Sequence, residues 1–447
     1  MTVAAVGPTK TLPGSARVLL ADNGSEVALC DLQESTEQPL VYSMDERLRL
    51  VVGRLAAINY VSQAQVSCIR LASGRVVEAT ADSELRTLAG FLPVRALSIG
   101  DRIAAPRRLP PPLNPQSMVA DELILLAHMI GDGSCVKRQP IRYASIDEQN
   151  LFAVTNAARH FGVTAKRDEY AAARVTTLRL PAPYRLTHGR RNPIAAWLDG
   201  MGLFDKRSYE KFVPKQVFGL SNDQVSLFLG HLWATDGCVI WDGKQGQGRI
   251  YYASTSRRLM DDVRQLLLRL GILTKAHGAR KDGYRVCWQL SINGMRNQSR
   301  FLNTVDVNGE KYFAGHEILK NLKGVKANEN VDTVPREVWD QVRQGLKDQR
   351  MSHRAFSEAM RIKFCGSTMW KHSPSRTRLH RAAAILNDRG LHDLARNDVF
   401  WDKIVEITSV GRQDAYRVAL AGADNLVAQG ISMRTLSSAD AAGSPPR

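Results

Sequence analysis

One unit is written twice in the middle of this chain. Tyr143-Ala144-Ser145 returns as Tyr252-Ala253-Ser254, Gly162 as Gly271 and Lys166 as Lys275, each at an offset of 109. Each copy reads as strand, helix, strand, strand, with NLFAVTNAARHFGV and RRLMDDVRQLLLRLGI supplying the helices. Each is preceded by an apolar helix ending in Asp-Gly, LLAHMIGDG at 125–133 and LGHLWATDG at 229–237. Self-similarity of this kind restricts the fold more than local propensity does, because two copies of one unit in a chain suggest a pseudo-twofold pair.

The Asp-Gly endings carry the chemistry. Gly133 and Gly237 suit the left-handed position that closes a helix, which puts Asp132 and Asp236 at the helix C-termini. Free carbonyls there carry about half a negative charge, so a carboxylate is unfavourable unless an oxygen-coordinated divalent cation offsets it. Small residues at Ala127, Gly131, Gly230 and Ala234 would let the two helices approach closely and bring both acids to one end. Two carboxylates with bridging metal ions suit in-line phosphodiester hydrolysis. His128 and His231, inside the same helices, read as hydrogen-bonding groups of the core rather than metal ligands.

Composition narrows the setting. Hydrophobic residues at 44% and charged residues at 23% exclude disorder along most of the length. No apolar run approaches the ~20 residues of a membrane span, and the longest, 123–130, contains His128. No signal-peptide pattern is visible, so no membrane association and a cytoplasmic location are expected. Six scattered cysteines without a CxxC pair fit neither a disulfide framework nor a zinc site. The formal net charge of +17 points to a polyanionic partner. Between Lys137 and Arg191 there are 11 basic residues against four acidic ones. Lys137, Arg138, Lys166 and Lys275 are therefore candidates for phosphate contact.

The twin motifs and the spacing of the repeats resemble the LAGLIDADG (dodecapeptide) homing endonucleases in their two-in-one-chain form, over roughly 118–330. The resemblance implies an α+β endonuclease at 116–330, with repeats at about 118–215 and 222–330. Asp132 and Asp236 become metal-binding catalytic acids using Mg²⁺ or another divalent cation. Double-stranded DNA becomes the partner of a monomer acting as a pseudo-dimer. Lys211, in EKFVP, matches a lysine of the intein-type members and could stabilise the charged transition state or tune the attacking water. The second-copy stretch DTVPREVW has Asp332 at the matching place, which implies asymmetric chemistry.

The flanks carry a second resemblance. Strand-like MDERLRL, IRLASGR and GDRIAAPRR before the repeats, and YRVALAGADNLVAQGISMRT after them, look like the two parts of a Hint (intein splicing) domain. Thr11 to Thr435 as a whole resembles an intein of the bacterial replicative-helicase type with the endonuclease inserted. Its splicing positions are degenerate. Thr11 stands at the Cys/Ser nucleophile, Thr80-Ala81-Asp82-Ser83 replaces the TxxH motif, and Arg434-Thr435 replaces the final His-Asn. Leu436 offers no following nucleophile, and the segments outside 11–435 are not expected to represent a host protein. Splicing is expected to be inactive.

The expected fold class is therefore multidomain. A tail at 1–10 leads into an all-β Hint-like domain split between 11–115 and 399–435, with proline-rich 109–115 as a linker. The α+β endonuclease with its two pseudo-twofold repeats lies between the halves. A small helical module follows at 331–398, and the chain ends in a disordered tail at 436–447. Residues 350–381 hold eight Lys/Arg and one acidic residue and resemble a helix-turn-helix. That reading makes Arg354, Lys363, Ser367, Thr368, Lys371, Arg376 and Arg378 DNA contacts. The function these features imply is a homing endonuclease making a double-strand break in a long duplex site. A non-cleaving DNA-binding regulator and an inert relic are the alternatives.

Overall fold

The structure is a computed structural model that describes residues 10–35, 38–168, 174–187, 189–325 and 328–437. It divides into two compact units. One comprises Arg108–Ala327; the other joins Met1–Arg107 with Asn328–Arg447.

The central unit contains two four-stranded antiparallel sheets with the same strand order. In the first, Gly133–Ser134 pairs with Arg142–Ser145, which pairs with Thr176–Arg179, which pairs with Lys166–Asp168. In the second, Gly237–Asp242, Gln247–Ser254, Cys287–Ser291 and Lys275–Ala279 follow in that order. The registers match as well: Tyr143 faces Leu178 and Tyr252 faces Leu290, and all four are buried. Side-chain caps start the helices that follow each sheet's first hairpin. Asp147 accepts from the Gln149 amide ahead of Glu148–Arg159, and Ser256 from the Leu259 amide ahead of Arg257–Arg269. The motif helices Ala120–Gly131 and Asn222–Ala234 pack together in one apolar core that spans both copies.

In the other unit, Leu50–Leu71 and Val399–Ala421 pair antiparallel through four register shifts. They organise a seven-stranded sheet, and a six-stranded sheet accompanies it. Apolar side chains from both parts of the chain, among them Leu12, Ile69, Leu85, Ile404 and Met433, share one core. The two flanks, far apart in sequence, therefore form a single body.

Three sequence expectations need correction. The proline segment is not a free linker. Leu109 is buried with its amide on the Leu268 carbonyl, and Gln116 bonds Gly219, so the segment lies along the central unit. The helical stretch is not a separate module either. It belongs to the strand-rich unit, where the Asp398 amide bonds Leu48 and the Asp398 carboxylate accepts from the Leu50 amide. Finally, Leu436–Ser437 begins the expected disordered tail as a short strand parallel to Ala419 and Leu420. Residues 438–447, and 1–9 of the other tail, lie outside the described residues. Among the described residues, no helix is long and apolar enough to cross a membrane.

Candidate active site

The two motif helices bring Asp132 and Asp236 together at one end of their packed pair. Gly131 makes this possible, since a β-carbon there would collide with the Thr235 side chain. Gly230, also expected at the crossing, serves elsewhere: a β-carbon there would meet the main-chain carbonyl of Asp306. Gly133 and Gly237 also have a different reason from the expected one. Neither takes a left-handed conformation; each begins a strand and lies so close to Met129 or Trp233 that any side chain would clash.

Deeper in the pair, His128 Nε2 and His231 Nδ1 lie 3.0 Å apart across the helix–helix contact, and His128 Nδ1 is 2.9 Å from the Tyr143 hydroxyl. Burial holds both imidazoles below their ordinary pKa, His231 at about 4, so they are neutral hydrogen-bonding groups of the core.

Both carboxylates are reached by solvent. Enough protein still surrounds Asp132 to raise its pKa to about 6, first through desolvation and then through repulsion from Asp236. Desolvation raises Asp236 as well. Among the described residues, no hydrogen-bond donor meets either carboxylate. Two accessible, mutually repelling acids at the carbonyl ends of two helices favour a cation. The described residues hold no group of three or more His, Cys, Asp or Glu side chains suited to a metal. Two carboxylates, however, suffice for Mg²⁺, which keeps several waters and uses substrate phosphate as a ligand.

Two lysines frame the acids. Lys211 Nζ donates to the carbonyls of Met129, Gly131 and Gly133 at 3.0, 3.1 and 2.8 Å. Lys311 Nζ donates to Trp233, Ala234 and Thr235 at 3.1, 2.8 and 2.6 Å. Each ammonium thus caps the carbonyl end of one motif helix with all three of its protons. Burial lowers the pKa of both, that of Lys211 to about 8.

This corrects the expected asymmetry. Asp332 is not the counterpart of Lys211; it is an ion-pair partner of Arg107 and Arg376 in the other unit. Lys311 was missed, although Glu210-Lys211-Phe212 and Glu310-Lys311-Tyr312 repeat one pattern at an offset of 100.

The remaining candidates are dispersed. Lys166 and Lys275 occupy equivalent exposed positions on the outermost strands of the two sheets. Lys137 and Arg138 are exposed, with the Lys137 ammonium 3.4 Å from Asp205. In the helical stretch, Arg354, Lys363, Ser367, Thr368 and Lys371 are exposed. The expected recognition helix is a 3₁₀ segment, Gly366–Lys371, pinned by Trp370 against Trp339 and Phe356. Arg376 is buried and Arg378 is partly covered over the Trp339 ring, so neither is presented as a free phosphate contact. In the strand-rich unit, the hydroxyls of Thr80 and Ser83 both donate to the Thr11 carbonyl, at 3.0 and 2.6 Å. Arg434 pairs with Glu84 at 3.5 Å, and the Thr435 hydroxyl is buried without a partner.

The raised acids predict an unusual pH dependence of stability without metal. A group whose folded pKa lies above its unfolded value contributes stability at low pH and loses it as pH rises through the folded pKa. In chelator, the melting temperature is expected to fall as pH rises from about 4 through about 6. Solvent access moderates the drop. Asp132→Asn should shrink this drop and melt higher than the parent at neutral pH. A parent whose melting temperature rose over that window without the Asn variant differing would contradict the crowding of the acids.

Residues 223–306 match the model of the LAGLIDADG-like domain family. Over 435 residues the chain is 31% identical to the replicative DNA helicase DnaB of Synechocystis sp., covering 94% of this chain and 49% of that protein. The chain thus spans about half the length of that curated relative. A DnaB intein from Synechocystis is similar over 22% of this chain and 69% of its own, at 23% identity and a TM-score of 0.21. I-DmoI in complex with DNA and Mn is similar over 42% of this chain and 96% of its own, at 17% identity and a TM-score of 0.29.

Proposed function

We propose that the chain is a site-specific DNA endonuclease that hydrolyses both strands of a long duplex site with Mg²⁺. The observation that carries this reading is the accessible pair Asp132 and Asp236, each at a helix end capped by its own lysine. Mg²⁺ held by the two acids would supply an activated water and neutralise charge on the phosphate. Asp132 and Asp236 would hold that cation, and more tightly once Asp132 is ionised, above about pH 6. Lys211 and Lys311 act as positioning residues, because their protons are committed to the helix carbonyls that set the two acids in place. Matching lysines on the two copies give each strand the same equipment. Lys166, Lys275, Lys137 and Arg138 are proposed as phosphate contacts.

The helicase name of the relative does not transfer. Its match covers half of that protein, and this sequence contains no Gly-x-x-x-x-Gly-Lys-Ser/Thr phosphate loop. The test is incubation of full-length protein and Mg²⁺ with plasmids carrying uninterrupted DnaB-type coding sequence, scored for linear product. Footprinting without metal on the same DNA distinguishes a regulator that binds without cutting. Absence of both cutting and protection would end the DNA reading.

The strand-rich unit is proposed to be an intein-like splicing scaffold without splicing activity. Ser83 supplies a hydroxyl where an imidazole would activate the first peptide bond, and the hydroxyl of Thr435 cannot cyclise as an Asn amide does. Placed between two reporter domains, residues 11–435 are expected to give only unspliced precursor on a denaturing gel. A ligated reporter band would overturn that assignment.

A further inference from the structure

A cleft of about 650 Å³, built by the second repeat together with Tyr209 from the end of the first, has the composition of a nucleobase site. Four cationic side chains and one carboxylate line it, together with three aromatic rings. Each ring is already matched to a cation. The Arg285 guanidinium lies 3.7 Å from the Tyr209 ring centre, Arg257 4.5 Å from Trp288 and the Lys281 ammonium 5.0 Å from Tyr284. Tyr284 is 71% exposed at the tip between Lys275–Ala279 and Cys287–Ser291, and Tyr209 is 40% exposed. Gly283, at φ +77°, allows the tight turn that presents Tyr284. Large exposed rings bordered by cations are expensive to keep in water and useful for stacking on a flat, electron-rich partner beside a phosphate.

The cleft breaks the pseudo-twofold. Strand register makes Thr176 the counterpart of Trp288, because Thr176 faces Ser145 as Trp288 faces Ser254. The repeat offset makes Glu148 the counterpart of Arg257, and the Glu-Lys pattern makes Gly309 the counterpart of Tyr209. Trp288 and Arg257 of the second repeat thus correspond to a threonine and a carboxylate in the first, and Tyr209, near the end of the first repeat, corresponds to a glycine in the second. A feature needed only for packing would survive in both copies, whereas one read by a single DNA half-site has no reason to.

We infer that this cleft takes one unstacked nucleobase of a DNA strand, stacked on Tyr284 and Tyr209 with the adjoining phosphate on Arg285, so that one half-site is read through local strand opening. The inference rests on the DNA reading above. It needs no knowledge of the target sequence to test. Full-length protein is titrated with a short single-stranded oligodeoxythymidylate, with a strand of equal length made only of abasic residues, and with duplex DNA. The base-bearing strand should bind about tenfold more tightly than the abasic one. Tyr284→Ala and Tyr209→Ala should abolish that preference, and Tyr284→Trp should retain it. Equal binding of both strands by the parent protein, or a preference unchanged in Tyr284→Ala, overturns the cleft while duplex binding leaves the DNA reading standing. Failure to bind duplex and single strand alike overturns both.

Discussion

Asp132→Asn and Asp236→Asn, each alone, are expected to lose double-strand cleavage while retaining DNA binding. Each substitution keeps the shape of the side chain but removes charge from the paired acids at the helix ends. Metal assistance contributes several kcal/mol to such reactions, so the rate of linearisation should fall by at least about a hundredfold. Gel shifts in calcium or chelator report whether binding survives. The Asn variants should also be no less stable than the parent at neutral pH, because each removes a desolvated charge and, with it, the repulsion from Asp236 that helps raise the Asp132 pKa. Undiminished cutting by both variants would remove these residues from the chemistry.

Arg376→Ala is expected to be the most damaging single change in the helical stretch, and for reasons unrelated to DNA. The guanidinium donates to Asp332 at 2.8 Å, to the carbonyls of Leu394 and Ala395, to Asn397 at 3.0 Å and to the Val399 carbonyl. Removing one partner of a buried pair leaves the other charge uncompensated and costs about 3–5 kcal/mol. Denaturant unfolding should show a loss of that order, against roughly 0.5 kcal/mol or less for exposed Arg354→Ala. Equal effects of the two substitutions would show that the buried network contributes little.

These two sites show what could be read from the letters. The acids were legible because a repeat fixes spacing: a motif that occurs twice with the same neighbours predicts both its helices and the meeting of their ends. Lys311 was equally legible in principle, since Glu-Lys-aromatic also occurs twice, but at 100 rather than 109 residues, because the two copies differ in loop length. Arg376 was not. In the sequence it is one of eight cations in a basic run, and only the fold reveals that the chain returns at 394–399 to surround it with carbonyls. Gly133 and Gly237 were read correctly as required glycines with the wrong cause, as local sequence reveals turn chemistry more readily than a neighbour's side chain. The split of the strand-rich unit was legible through the resemblance of both flanks to a Hint domain, yet the attachment of the helices and the docking of the proline segment depend on contacts that no periodicity encodes.

The histidine contact between the motif helices restricts how the two halves can pair. His128 and His231 are not equivalent positions: at the motif offset of 104, His128 corresponds to Leu232 and His231 to Ala127. A symmetric dimer of the first half would turn each His128 toward an alanine, and one of the second half would turn each His231 toward a leucine. Either would strand imidazole nitrogens in a dry interface, at about 1–3 kcal/mol apiece. Only the pairing of the two unlike halves satisfies both rings. Each half is thereby the other's obligate mate, and a homodimer of either half would need these positions replaced.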